Sequence, residues 1–321
     1  MNVRRLIPTT ALAGAVTLGL VTLSACSGTS DAAGKGSGGK LDVVASFYPM
    51  QYLAEQIGGG HVAVDTLTKP GVEPHDLELK PKQIGELGEA DVIVYLKGIQ
   101  PAVDEAIAQA GVANTVDAAA LTELEDHDTS SGHDHAAEEA GHDHASEAGA
   151  DPHIWLDPVK YAEVAKGVGA AFEKADPDHA ADYRKNTDAL LKKLGALNTE
   201  FANGLKNTTT RTFITTHSAF GYLAERYGLE QEGITGIDPE SEPSPARVKE
   251  LQDIARKDKV STVFFETLAS DKTAKTLAND TGLQTDVLDP LEGITDTSKG
   301  ADYIQVMQSN LAALQKALGA K

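Results

Sequence analysis

From residue 41 onward, short apolar runs alternate with helix-length segments, and this alternation constrains the fold more than any other feature of the chain. Residues 41–46, 62–67 and 91–96 read as strands, with helices predicted over 49–57, 81–89 and 101–110. The pattern resumes late, with strands over 211–216, 261–265 and 286–288 and helices over 219–227, 244–258, 271–281 and 301–318. Such βα alternation implies parallel sheets with helices on their faces. The predicted class is therefore α/β, in two lobes, each a parallel-type sheet flanked by helices. At 321 residues the chain is long for a single core, which also favours two lobes. Between them, residues 178–206 hold Tyr183, Leu190, Leu194, Leu197 and Phe201 near helical spacing, with no proline. One helix of that length spans roughly 40 Å, enough to join two lobes. The boundaries expected are 41–177 for the N-terminal lobe, 178–206 for the linking helix and 207–321 for the C-terminal lobe.

The first 25 residues read as an export leader: Arg4 and Arg5 precede an apolar stretch without charge. It ends in Leu23-Ser24-Ala25-Cys26, which resembles a bacterial lipobox, with Cys26 as the lipid-modified residue. Cys26 is also the single cysteine, so an internal disulfide is excluded and lipid attachment gives the thiol a purpose. Residues 26–40 are rich in Gly and Ser and read as a flexible tether reaching roughly 20 Å. The expected location is extracytoplasmic, on the membrane through Cys26. A formal charge of -20 argues against nucleic acid as a partner and suits capture of a cation.

The ten histidines carry most of the chemical information. His127, His133, His135, His142 and His144 lie in an unpatterned acidic stretch over 123–150, a loop with the composition of a weak, exchangeable metal collector. His61 and His179 read as surface residues. His75, His217 and Asp289 follow predicted strands, at the edge where open α/β sheets bind ligands, and His153 lies in Asp151-Pro-His-Ile-Trp-Leu-Asp-Pro158. Glu266, at the end of a strand, reads either as a surface ion pair or as a carboxylate orienting a ligand.

In order, Glu-Pro-His75-Asp, Asp-Pro-His153-Ile-Trp-Leu-Asp-Pro, Thr-His217-Ser-Ala-Phe-Gly-Tyr, Glu242-Pro243-Ser244 and Leu-Asp289-Pro-Leu-Glu-Gly resemble the metal-binding family of ABC-transporter solute-binding proteins, the zinc and manganese receptors. The resemblance covers 41–321 and is nearest to the zinc members, whose acidic His-rich loop 123–150 is similar to. It implies two lobes on one long helix, with an ion held between the lobes by His75, His153, His217 and Asp289. It also implies an ABC permease as partner, with the receptor a monomer and Zn(II) its transported ligand. Three imidazoles and one carboxylate suit zinc, whereas manganese prefers more oxygen. The alternatives are a receptor for manganese or another divalent metal, a zinc-dependent hydrolase, or a surface adhesin or metal-buffering lipoprotein. No HExxH, nucleophile elbow or phosphate loop supports an enzyme. If Cys26 carries the lipid, Cys26→Ser abolishes fatty-acid labelling and membrane retention; unchanged labelling would refute the assignment.

Overall fold

A computed structural model of the chain describes residues 39–112, 114–127 and 150–321. The leader, Cys26 and nearly all of the tether lie outside the described residues, as do His133, His135, His142 and His144. The first sheet has the order β2-β1-β3-β4, from β1 (Leu41–Ala45), β2 (Val62–Thr66), β3 (Val92–Tyr95) and β4 (Thr115–Asp117). The second repeats it as β6-β5-β7-β8, from β5 (Thr212–Thr215), β6 (Glu230–Gly233), β7 (Thr262–Phe265) and β8 (Gln284–Val287). Every pairing is parallel: Val43 lies opposite both Val64 and Val92, and Ile214 opposite Glu232 and Val263. The central strands are buried apolar runs, as parallel sheets covered on both faces require. Each sheet has a switch in strand order, β1/β3 and β5/β7, and the crevice beyond the carboxyl ends of the strands at such a point is where ligands bind.

Nine helices connect and cover the strands among the described residues: α1 (Tyr48–Gly58), α2 (Pro81–Glu89), α3 (Pro101–Ala110), α4 (Pro158–Ala175), α5 (Ala180–Gly204), α6 (Gly221–Tyr227), α7 (Pro245–Lys257), α8 (Lys272–Thr281) and α9 (Tyr303–Leu318). Proline opens several of them, where its missing N–H costs nothing and its fixed φ favours the first turn. Asp157, Ser244 and Asp302 each accept a hydrogen bond from a first-turn N–H, at Val159, Arg247 and Gln305 respectively. The predicted linking helix is α5, preceded by a 3-10 turn at Pro177–His179.

The core departs from the picture of two separately closed lobes. One face of the first sheet packs its own cluster of Val44, Leu67, Leu87, Ile93, Val103 and Ile107 beneath α2 and α3. The equivalent cluster of the second sheet is Ile214, Ile234, Leu251, Val263, Ala274 and Leu277, beneath α7 and α8. The opposite faces share one continuous cluster, from Leu41 to Leu318, that includes the buried stripe of α5: Tyr183, Leu190, Leu194, Leu197 and Phe201. Trp155 helps to join the halves. Its ring meets Phe47 edge-on at 5.0 Å, and its Nε1–H donates to the Pro290 carbonyl at 2.7 Å. Tyr303 on α9 donates its hydroxyl proton to the Trp155 carbonyl at 2.6 Å.

A shared core predicts one cooperative unfolding transition rather than one per lobe. Trp155→Phe, which leaves the Pro290 carbonyl without its donor, should lower that single transition by about 1–3 kcal/mol. Separate transitions for the two sheets in urea, followed by fluorescence and circular dichroism, would contradict the shared core.

Candidate metal centre

Four side chains meet beyond the carboxyl ends of β2, β4, β5 and β8. His75 is in the loop after β2, where Pro70 and Pro74 restrict the chain, and its N–H donates to Glu73 Oε1 at 3.1 Å. His153 enters a 3-10 turn, Ile154–Leu156, and Asp151 Oδ1 meets both its backbone N–H at 2.9 Å and its ring Nδ1 at 2.7 Å. His217 follows β5 by two residues, and its carbonyl accepts from the Thr215 hydroxyl at 2.7 Å and Gln231 Nε2 at 3.0 Å. Its ring Nδ1 lies 2.7 Å from Glu266 Oε1, and Glu266 immediately follows β7.

The fourth side chain is Glu292. The loop that carries it turns through Leu291, a buried residue held at φ 59°, a left-handed conformation that costs a residue with a Cβ about 1–2 kcal/mol. The turn persists because it is clamped on both sides. Asp289 Oδ1 accepts from the Leu291 N–H at 2.8 Å, and Asp289 Oδ2 from the Thr267 hydroxyl at 3.1 Å. Asn310 on α9 accepts from Asp289 N–H at 2.9 Å and donates to the Asp289 carbonyl at 2.7 Å.

Three imidazole nitrogens converge on one oxygen. Nε2 of His153, His217 and His75 lie 3.2, 3.3 and 3.5 Å from Glu292 Oε1. A carboxylate fixed against Nδ1 selects the tautomer with hydrogen at Nδ1, which leaves a lone pair on Nε2. Two such lone pairs directed at a carboxylate repel it unless a proton or a metal ion stands between them. The Nε2 atoms of His75 and His217 and Glu292 Oε2 are buried without a well-directed hydrogen-bond partner, as are Glu73 Oε2 and Glu266 Oε2. Burial opposes charge on His153 and His217. The hydrogen bonds to Asp151 and Glu292 outweigh it at His153, and the charge of Glu266 with the hydrogen bonds to Glu266 and Glu292 outweighs it at His217, so both imidazoles hold a proton above the ordinary value of 6.5. Burial likewise opposes charge on Glu292, yet the three imidazoles hold its carboxyl well below the usual range. Glu73 behaves oppositely. Burial, then the charge of Glu292, pushes it up to about 9, so at neutral pH it adds no second anion.

His153, His217 and Glu292 are buried, and His75 alone of the four lines a cleft of about 870 Å³ between the lobes. Lys97, Glu242 and Arg247 line it as well. Glu292 lines a second, smaller pocket with Tyr48, Gln51 and Thr68.

The three predicted histidines are brought together, but Asp289 is not part of the group. Its carboxylate is taken up by Leu291 N–H and Thr267, so it shapes the loop, and Glu292, three residues on, supplies the oxygen. Glu266 is buried rather than in a surface ion pair and orients His217. Sequence reasoning passed over Asp151 and Glu292, although both lie within the motifs around His153 and Asp289. His61 and His179 stack on each other at 4.0 Å outside this group, and His127 sits against Asp151 and Glu225.

The family described as zinc-uptake complex component A, periplasmic (ZnuA), matches residues 43–317. The High-affinity zinc uptake system protein ZnuA of Bacillus subtilis is 38% identical over 314 residues, covering 94% of this chain and 97% of that protein. The Zinc-binding lipoprotein AdcA of Streptococcus pneumoniae is 35% identical over 289 residues; the match takes in 88% of this chain but only 56% of AdcA. The crystal structure of the Zn(II)-bound ZnuA-like domain of that AdcA superposes with a TM-score of 0.72 at 33% identity, covering 87% of this chain and 99% of the domain. A parallel-sheet pair of this order, three histidines and a glutamate at its switch-point crevice, and a match along nearly the whole described chain lead to one conclusion: the chain belongs to the ZnuA family.

Proposed function

We propose that the protein captures Zn(II) outside the cytoplasm and delivers it to the permease of an ABC importer, held at the membrane by a lipid on Cys26. The observation that carries this reading is the convergence of three Nε2 atoms on Glu292 Oε1 at 3.2–3.5 Å. Donors ~2.0–2.1 Å from a tetrahedral zinc ion stand roughly 3.3 Å from one another, and the three nitrogen–oxygen separations already match that spacing. Three nitrogens and one oxygen favour zinc over the harder, oxygen-seeking manganese. Four protein donors complete a tetrahedron, whereas a hydrolytic zinc keeps one position open for water. A closed shell fits a receptor that holds and releases its cargo. The receptor acts as a monomer, and the His-rich segment over 123–150 is an accessory collector whose weak sites feed the cleft.

Ligand roles separate by isosteric substitution. Glu292→Gln and His217→Ala should each lower zinc affinity more than about 100-fold, while Glu266→Gln, which loosens the hold on His217 Nδ1, should cost about 10–100-fold. Asp289→Asn keeps the oxygen that accepts from Leu291 and should change affinity less than about tenfold. Competition titration with a chromophoric chelator measures all four. If Asp289→Asn abolishes binding while Glu292→Gln leaves it intact, the glutamate assignment is wrong.

Binding also releases protons, because zinc and hydrogen compete for the same Nε2 lone pairs. The raised proton affinity of His153 and His217 moves that competition upward. Zinc affinity should therefore start to fall while the pH is still above 6.5, by roughly tenfold per pH unit for each imidazole that must lose a proton. A pH titration in which affinity is flat down to 6.5 would contradict the carboxylate–imidazole arrangement.

A further inference from the structure

His127 stands where the His-rich segment begins, yet it is held as firmly as a core residue. Its ring lies edge-on to Tyr222 on α6 at 4.4 Å, in a space that exists because residue 221 is glycine. A Cβ at Gly221 would come 2.2 Å from His127 Cβ. Nδ1 of His127 lies 3.0 Å from Asp151 Oδ2, and Nε2 lies 3.2 Å from Glu225 Oε2. The Glu125 N–H donates to the Tyr222 hydroxyl at 2.8 Å, which brings its carboxylate to the same place. One donor atom from each of Glu125, His127 and Glu225 lies within 4.8 Å of the others.

We propose that Glu125, His127 and Glu225 form a second site for a divalent transition-metal ion, set by the same carboxylate that sets His153. Asp151 is buried, with Oδ2 on His127 Nδ1 and Oδ1 on His153 Nδ1 at 2.7 Å. The arrangement of the main cluster is thus repeated: a buried carboxylate holds Nδ1 and turns Nε2 towards a carboxylate oxygen. One imidazole and two carboxylates, with water completing the shell, suit zinc and its divalent neighbours. This site is weaker than the main one. The Glu225 side chain is 57% exposed, and Lys160 already donates to Glu125 Oε1 at 2.9 Å and to the Glu123 carbonyl at 2.7 Å, so an ion must compete with an ammonium and with water. The assignment rests on the accessory-collector reading above and gives it one built site, at the described start of the His-rich segment.

The test is zinc calorimetry on the full chain with His133, His135, His142 and His144 replaced by alanine, which removes the other loop donors. Two zinc ions should bind per chain, one tightly and one at least about 100-fold more weakly. Adding His127→Ala or, separately, the surface change Glu225→Gln should remove the weaker equivalent and leave the tight one. Asp151→Asn should weaken both by about 10–100-fold, because it orients an imidazole in each. A single equivalent in the loop-substituted protein, or a weaker equivalent that survives both His127→Ala and Glu225→Gln, would overturn the proposal. The tight equivalent reads the main cluster and the weak one reads this site, so failure of either assignment is seen by itself.

Discussion

Everything in the metal centre depends on two short contacts between a buried carboxylate and an imidazole Nδ1: Asp151 with His153 and Glu266 with His217, each at 2.7 Å. A free histidine offers either nitrogen and rotates. These two cannot, because moving the ring would strand a buried carboxylate at a cost of several kcal/mol. The result is a set of Nε2 atoms fixed in direction before any ion arrives, which lowers the reorganisation that binding must otherwise bring about. Glu292 then supplies the charge. Its carboxylate is kept ionised by the three imidazoles although it is wholly buried. Without a metal, protons shared between these imidazoles and Glu292 hold the cluster together, and an arriving divalent ion takes their place.

The scaffold supplies rigidity at the points this arrangement needs. His75 and His153 come from the first sheet's edge, His217 and Glu292 from the second, so the site exists only while the two halves keep their positions. A core continuous across both halves, threaded by α5, holds them. The Trp155–Pro290 hydrogen bond ties the turn that follows His153 directly to the loop that carries Glu292. That loop bears backbone strain at Leu291, retained because Asp289, Thr267 and Asn310 over-determine it. Strain beside a binding site fits a loop shaped for placing one carboxylate rather than for stability.

Much of this was legible in the residues alone. Apolar runs such as Asp91-Val-Ile-Val-Tyr and proline-headed helices announced the α/β alternation; His75 and His217 stood out by position after predicted strands, and His153 by its Asp-Pro-His-Ile-Trp motif. The edge strands β4 and β6 did not, because Thr-Val-Asp and Glu-Gln-Glu-Gly are short, polar and half exposed, without the apolar pattern that marks a strand. The exchange of Asp289 for Glu292 has a similar origin. Both are acidic residues in one loop after one strand, and only the left-handed turn at Leu291, which no composition or spacing rule reveals, decides which of them faces the histidines. Glu266 was equally ambiguous, since a carboxylate at a strand end is ordinarily solvated; its burial follows from the way β7 lies beside β5. Single residues in loops are set by tertiary clamps, and those are absent from local sequence.

Zinc held through Nε2 of His75, His153 and His217, with the Nδ1 protons of His153 and His217 resting on Asp151 and Glu266, would leave a distinct signature on each ring. Long-range proton–nitrogen NMR of the imidazole rings in the zinc-loaded, 15N-labelled protein tests it most directly, since a metal-bound, a protonated and a bare ring nitrogen each resonate in a distinct range. Three rings should carry metal on Nε2, and two of them a protected Nδ1–H. Metal on Nδ1 of His153 or His217, or any of the three rings unchanged by zinc, would contradict it.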